Sequence, residues 1–307
     1  MSPLKSKLNS IATEVGFTHF GVAKAEPLNR GGESLIEWLD RGYNGSMAWM
    51  ERDPEKRSDP TKYMPGAKSV ISLGLNYYTQ HEYSGDPDKG KISRYAWGED
   101  YHDIINGMLK MMIDELKKSF PYAKFKGCCD TSAVMEKEWA EKAGIGWIGK
   151  NTNLISKHSG SWLFLAEIIC DLEIEADSPG LDFCGSCSLC IDLCPTNALE
   201  EPYKLDARKC ISYLTIEHRG EFDKGAPSFG GWLYGCDVCQ EVCPWNSFQS
   251  ETEDFSFQPR DYGTEIELDY AANMSDEDFK KVFAGSPILR TKAEGLRRNA
   301  EYLKVES

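Results

Sequence analysis

The chain has 307 residues, with 35 Lys and Arg against 49 Asp and Glu and a formal net charge of −14 at pH 7. That balance argues against a general nucleic-acid binder, and no run approaches the roughly 18 apolar residues of a membrane span. The N-terminus, Met1-Ser-Pro-Leu-Lys-Ser-Lys-Leu-Asn-Ser10, lacks an apolar export core, so a cytoplasmic protein of one large or a few smaller domains is expected.

Leu4, Leu8, Ile11 and Val15 recur at helical spacing and predict a helix over 4–15 that stops at Gly16. A strand over 17–23 and helices over 34–39 and 46–52 follow. A buried strand over 68–77 stands behind the Pro65-Gly66 turn. Residues 101–120 read as a long helix with Ile104, Ile105, Met108, Met111, Met112 and Leu116 on its apolar side. A short strand over 123–129, a helix over 134–143 ended by Gly144 and a second buried strand over 162–170 complete an alternating α/β domain, 1–176. Asp177-Ser-Pro-Gly180 reads as a linker into a module over 177–250 with little regular structure. Residues 251–307 read as a short helical region, with a capping box at Ser275-Asp-Glu-Asp278 and a helix over 288–303. The fold class expected is α+β.

The module carries eight of the 11 cysteines. They run Cys184-x2-Cys187-x2-Cys190-x3-Cys194-Pro195, then Cys210 alone, then Cys236-x2-Cys239-x3-Cys243-Pro244. The first run has the bacterial ferredoxin spacing, in which three thiolates hold one cubane and the fourth reaches the other. Two [4Fe–4S] clusters need eight thiolates. The expected assignment crosses over: Cys184, Cys187, Cys190 and Cys243 for cluster one, and Cys194, Cys210, Cys236 and Cys239 for cluster two. The 25 residues between Cys210 and Cys236 read as an insertion. Disulfides call for an oxidising compartment. Structural zinc commonly uses paired knuckles, which leave the x2-x2-x3-Pro pattern unexplained. Cys128, Cys129 and Cys170 read as packing residues.

The first domain has no GxGxxG after a strand and no Walker A sequence. Its one near-match to a cobalt-ligating D-x-H-x-x-G run, Asp100-Tyr-His102-Asp-Ile-Ile105, fails at Ile105, so a corrinoid bound here is expected without a protein histidine on cobalt. His102 then reads as a helix-start or surface residue. Lys126-Gly-Cys-Cys-Asp130-Thr-Ser places an acid at a strand end, where α/β folds commonly put reactive groups; the alternative is a helix N-cap. Gly144-Ile-Gly-Trp-Ile-Gly149-Lys-Asn-Thr-Asn153 is either a loop that lets backbone approach a large ligand or ordinary loop punctuation. Between Glu251 and Asp278 stand ten acidic residues and Arg260; between Lys280 and Lys304 stand seven basic residues against Glu294 and Glu301. The basic stretch is a solvated helix face or a phosphate-contacting tail.

Several segments together resemble the epoxyqueuosine reductase family. They are Pro65-Gly-Ala-Lys-Ser-Val70, Arg94-Tyr-Ala-x-Gly98-x-Asp-Tyr-His102, Glu136-x-x-x-Ala140-Glu141-Lys-Ala-Gly144-Ile-Gly146-Trp, the Cys184–Leu199 run and Tyr234-Gly-Cys-Asp-x-Cys-Gln-x-x-Cys243-Pro. The resemblance implies a cobalamin-binding, nitroreductase-like domain similar to that of reductive dehalogenases, then a two-[4Fe–4S] ferredoxin-like module. Many members continue into HEAT-like repeats, of which this chain has room for only the first helices. It implies reduction of epoxyqueuosine to queuosine at the wobble position of a tRNA anticodon by cob(I)alamin chemistry. The clusters would relay electrons from a low-potential donor, and Asp130 would give the proton as an acid kept neutral by its pocket. By the same resemblance, cobalamin contacts fall on Arg57, Ser93, Asp130, the backbone of Leu154, Ile155 and Ser156, and on Leu165, Ser212 and Asp237. Arg297, Arg298 and Asn299 are implied to meet tRNA phosphate. A monomer is expected. The competing readings are a cobalamin-dependent reductive dehalogenase and a non-catalytic iron–sulfur electron carrier.

Overall fold

The computed structural model describes residues 2–306. Among the described residues nine strands run in chain order: β1 His19–Lys24, β2 Ser69–Asn76, β3 Lys89–Ile92, β4 Phe125–Cys128, β5 Trp147–Ile148, β6 Leu154–Ile155, β7 Leu163–Cys170, β8 Trp232–Tyr234 and β9 Glu265–Glu267. β1, β2, β7 and β4 form one antiparallel sheet in that order. β2 is buried along all but its last residue because both sheet faces are covered. Leu8 and Ile11 of the helix Pro3–Glu14 and Ile105, Met108 and Met112 of the helix Tyr101–Ser119 pack with Ile71, Leu73 and Ile168. Trp139 of the helix Glu136–Lys142 packs with Val70 and Ile169 on the other face. Alternate residues of the same strands thus supply two cores.

The expected helices at 4–15 and 101–120 and strands at 68–77 and 162–170 form within one or two residues of those bounds. Residues 46–52 contain only a 3₁₀ turn, Ala48–Glu51. The helix expected over 34–39 starts earlier, at Asn29, where the bare Cα of Gly31 makes room for the Glu138 carboxylate. The expected 288–303 helix is a 3₁₀ turn, Pro287–Thr291, followed by the helix Lys292–Glu306, with Lys292 in the left-handed region (φ 65°) at the junction. Ser275 caps as its sequence implies: its Oγ accepts from Asp278 N at 3.1 Å.

A second sheet, β8-β3-β9, takes one strand from each of the three regions distinguished by sequence. β3 pairs parallel to β8 and antiparallel to β9. Below it, one core joins Ile92 and Trp97 to Phe229–Tyr234 and to Leu296, Ala300 and Leu303 of the last helix.

The segment expected to be a linker is bound. The Asp177 carboxylate ion-pairs with Lys5 and accepts from Val22 N at 2.9 Å. Gly180 lies so close to Gly146 that a Cβ on it would sit 1.8 Å from the Gly146 carbonyl oxygen. That approach locks the β5–β6 hairpin against the start of the cysteine module. A Gly180→Ala substitution is expected to lower stability by about 1–3 kcal/mol in urea unfolding. Gly107→Ala is the opposite case: the position is exposed, helical and free of neighbours within 4 Å, so a gain of about 0.5–1 kcal/mol is expected.

Candidate functional site

The eight cysteines gather around two cavities. Cys184, Cys187, Cys190 and Cys243 line one of about 450 Å³. Cys194, Cys210, Cys236 and Cys239 lie in the wall of another, of about 1320 Å³. The crossing comes from the chain path: Cys194 follows the first loop's one-turn helix Leu189–Asp192 away from its neighbours, and Cys243 does the same after Val238–Glu241. Burial raises the Cys190 thiol to about 11, helped by the charges of Cys243, Cys184 and Cys187. Burial likewise lifts Cys239, with Cys210, Cys236 and Cys194 contributing. Thiols lifted this way become thiolates when bound to metal. Among the described residues no three His, Cys, Asp or Glu side chains could hold a single metal ion. Quartets ringing a cavity suit a multi-iron cluster and disfavour zinc.

The glycine-rich loop clamps both cysteine loops. Lys150 Nζ donates to Gly185 O (2.7 Å) and Cys187 O (2.8 Å), and Asn151 Nδ2 donates to Cys239 O at 3.0 Å. Trp147 Nε1 lies 3.4 Å from Cys184 Sγ, and Asn153 Nδ2 lies 3.9 Å from Cys239 Sγ. The tip of this hairpin, Asn151 to Asn153, also lines the larger cavity.

That cavity exceeds the roughly 300–1,000 Å³ typical of drug-sized ligands. Arg57, Ser93, Asp130, Ser212 and Asp237, five of the residues the resemblance implies for a corrinoid, line it. Asp237 is buried. Its carboxylate accepts from Ser93 Oγ (2.6 Å) and from Arg94 N (2.7 Å), so it holds the wall in place. Arg57 Nε is buried there without a partner, a donor left for a ligand's acceptor. A large, partly apolar cavity touching the second cysteine quartet and offering such a donor fits a corrinoid.

Asp130 is no helix cap. The helix after it starts at Glu136 behind Met135, and Asp130 itself is left-handed (φ 48°). Its Oδ2 lies 2.9 Å from His102 Nε2, and His102 Nδ1 lies 2.7 Å from Asp100 Oδ1. Asp100 also caps the helix, accepting from His102 N at 3.0 Å. Both nitrogens of this histidine are therefore taken. Burial alone would raise Asp130, but the hydrogen bond and charge of His102, with Tyr101 and Arg290, bring it below the usual value. Burial likewise opposes charge on His102, yet its two carboxylate partners lift it to about 9. These shifts favour the shared proton on His102 in the open cavity, whereas the sequence reading expects a neutral Asp130 in a pocket covered by cofactor. His102 is the cavity residue that sequence reasoning did not join to Asp130; the two stand 28 positions apart, and the packing of β4 beside the helix brings them together.

Four expected contacts do not reach the large cavity. Leu154, Ile155 and Ser156 are buried, and Ser156 Oγ meets His19 Nε2 at 3.3 Å. Ile155 lines the smaller cavity, and Leu165 packs on Ala140, Ile145 and Leu154. The hairpin turns its tip, not its strands, toward the larger space. The expected tRNA-binding trio also points elsewhere. Asn299 is fully buried, donating to Thr215 O (2.8 Å) and Leu233 O (3.0 Å). Arg298 donates to the carbonyls of His218, Gly220 and Leu214 and stacks 4.2 Å from the Phe222 ring centroid. Arg297 pairs with Asp276 and Met274 O. These side chains dock the last helix. Exposed cations at the cavity wall come instead from Arg52 and Lys292, with Arg290 held by Glu217 at 2.7 Å.

A family model described as "Epoxyqueuosine reductase QueG, DUF1730" matches residues 57–131, and one described as "4Fe-4S double cluster binding domain" matches residues 183–246. The chain is 45% identical over 272 residues to an epoxyqueuosine reductase of Synechocystis sp., covering 88% of this chain and 93% of that one. It is 42% identical over 305 residues to one of Leadbetterella byssophila, covering 99% of both. Its fold is similar, at a TM-score of 0.91, 32% identity and coverage of 98% of this chain and 80% of the other, to a crystal structure of epoxyqueuosine reductase with an epoxyqueuosine-modified tRNA-Tyr stem loop.

The His102 proton gives a direct test. The pair's stabilisation is fully present below the ordinary histidine value of 6.5 and is lost as pH rises through about 9. An imidazole NMR titration is expected to place the midpoint near 9, and Asp130→Asn to lower it by about one unit or more.

Proposed function

The chain belongs to the epoxyqueuosine reductase family, an oxidoreductase family, and from that premise we propose that it reduces epoxyqueuosine to queuosine in the anticodon of a cytoplasmic tRNA, with cobalamin and two [4Fe–4S] clusters. Cys184, Cys187, Cys190 and Cys243 hold the outer cluster, and Cys194, Cys210, Cys236 and Cys239 the inner one. Arg57, Ser93, Ser212, Asp237 and the Asn151–Asn153 tip form the corrinoid's cradle. When bound, the cofactor supplies a strongly reducing cobalt centre.

The conversion takes two electrons and two protons, because the epoxide oxygen departs as water. This chain's part is to bring both to one place. The inner quartet and the Asp130–His102 pair open on the same cavity, and that observation carries the reading. A low-potential donor loads the outer quartet, where Cys187 is exposed. Asp130 faces the substrate oxygen and passes it the proton that His102 holds. A departing alkoxide is a poor leaving group, so protonating it removes the largest unfavourable charge of the step. tRNA phosphates meet Lys292, Arg52 and Arg290 at the cavity's rim.

Anaerobic turnover of epoxyqueuosine-containing tRNA with cobalamin and a strong reductant tests this. Wild type is expected to form queuosine, and Asp130→Ala to lose about 10²–10⁴-fold in kcat. No queuosine from wild type refutes the function; full activity in the variant refutes the role of Asp130. Lys292→Gln is expected to reduce the slope of log affinity for tRNA against log salt by about one, whereas an unchanged slope places the phosphates elsewhere.

A further inference from the structure

Behind Asp130 stand two more carboxyl groups. Glu136 opens the helix Glu136–Lys142, and its Oε1 accepts from the Asp130 backbone N–H. Glu167 lies in the middle of β7, fully buried, opposite Ser72 on β2 and Cys128 on β4. Neither Glu167 oxygen has a hydrogen-bond partner, nor does Ser72 Oγ beside it. A buried carboxylate without donors is untenable, so Glu167 is a neutral acid. Its O–H is then a donor with nothing yet to donate to. Burial lifts Glu167, and the charge of Glu136 lifts it further, which puts the two carboxyls in electrostatic contact. Burial and the charge of Asp130 lift Glu136 to about 8. The other titratable groups facing Glu136 are His102 and Tyr101 from the long helix, Cys128 and Cys129 from the end of β4, and Lys137 on its own helix, whose Nζ donates to Thr152 O at 2.9 Å.

The reaction needs two protons, and the Asp130–His102 pair holds one. We propose that Glu136, backed by Glu167, is a positioning residue that stores the second proton and hands it to Asp130. The inference rests on the function proposed above. In the first transfer the His102 proton passes through Asp130 to the epoxide oxygen, leaving neutral His102 and an Asp130 carboxylate. In the second, the O–H bond of Glu136 breaks and one forms on Asp130, which delivers that proton to the hydroxyl as it departs as water. Both electrons come from the reduced cofactors. The second transfer leaves a Glu136 anion, whose carboxyl neighbour Glu167 is neutral and not a second anion. Solvent entering the open cavity refills His102 and Glu136 after product leaves.

Two arms test the proposal. Infrared spectra of the protein without substrate are expected to contain a protonated-carboxyl band at pH 7 that titrates near pH 8 and is absent from Glu136→Gln. A second band is expected to persist to higher pH and vanish in Glu167→Gln. Identical wild-type and Glu136→Gln spectra between pH 6 and 9 overturn the store, whatever the outcome of turnover. In the activity arm, Glu136→Gln keeps an acceptor for the Asp130 N–H but carries no proton. It is expected to lose about 10²-fold or more in kcat, with KM for tRNA unchanged and the pH-profile limb near 8 gone. Wild-type activity in Glu136→Gln beside an inactive Glu136→Ala reduces Glu136 to an anchor for the loop and overturns the proton role. A wild type that makes no queuosine sinks the functional reading alone; the infrared arm still decides the store.

Discussion

The buried Asp237 carboxylate is the joint on which the molecule turns. It follows Cys236 directly and accepts from Ser93 Oγ and Arg94 N, so the second cysteine loop is fixed to the end of β3. Arg94 in turn sits with its guanidinium 4.2 to 5.1 Å from the ring centroids of Trp97, Tyr78 and Trp162, and it donates to Thr79 O. Burial raises Asp237, while the Arg94 and Ser93 hydrogen bonds and the Arg94 charge oppose that rise. A carboxylate kept in the interior by two such partners leaves little freedom to shift. The parallel β3–β8 pairing extends the same junction. Electron delivery is sensitive to position, and this junction places the inner cysteine quartet in the cavity wall.

Protons are placed by a different device. The strand end at Cys128 runs into a left-handed Asp130, and the start of the long helix offers Asp100 and His102 across from it. Two carboxylates around one imidazole keep a proton on nitrogen at neutral pH, ready to cross a single short hydrogen bond. In the proposed reading the histidine stores the first proton and the aspartate aims it, while the second comes from the weaker acid Glu136. The cysteine quartets come from 184–243 and the acid–imidazole cluster from 100–136, and the Asn151–Asn153 hairpin tip lines the same cavity as the inner quartet and Asp130.

The cysteine code was legible because ligand spacing is local, and even the exchange of Cys194 and Cys243 follows from where each short turn ends. The strands at 68–77 and 162–170 were legible as unbroken apolar runs. Asp130 stood out as a strand-end acid, but only the family resemblance chose that reading over an N-cap, since the two look alike in sequence. His102 was hidden because its partner is brought to it by tertiary packing. Arg297, Arg298 and Asn299 misled for a related reason. A basic run reveals charge but not which face of a helix it occupies, and here that face meets the carbonyls of Leu214, Thr215, His218, Gly220 and Leu233. Of the glycine-rich hairpin, the tip Asn151–Asn153 lines the large cavity, while the paired residues Leu154 to Ser156 lie behind it.

The central claim is that the inner of two crossed cysteine quartets and one carboxylate–imidazole pair open on the same cavity, which is proposed to hold a corrinoid. An anaerobic crystal structure of the protein reconstituted with iron, sulfide and cobalamin tests it most directly. The account predicts one cubane on Cys184, Cys187, Cys190 and Cys243, a second on Cys194, Cys210, Cys236 and Cys239, and the corrin between that second cubane and Asp130. A cluster held by Cys184, Cys187, Cys190 and Cys194 together, or a corrin bound away from the Asp130–His102 pair, would contradict it.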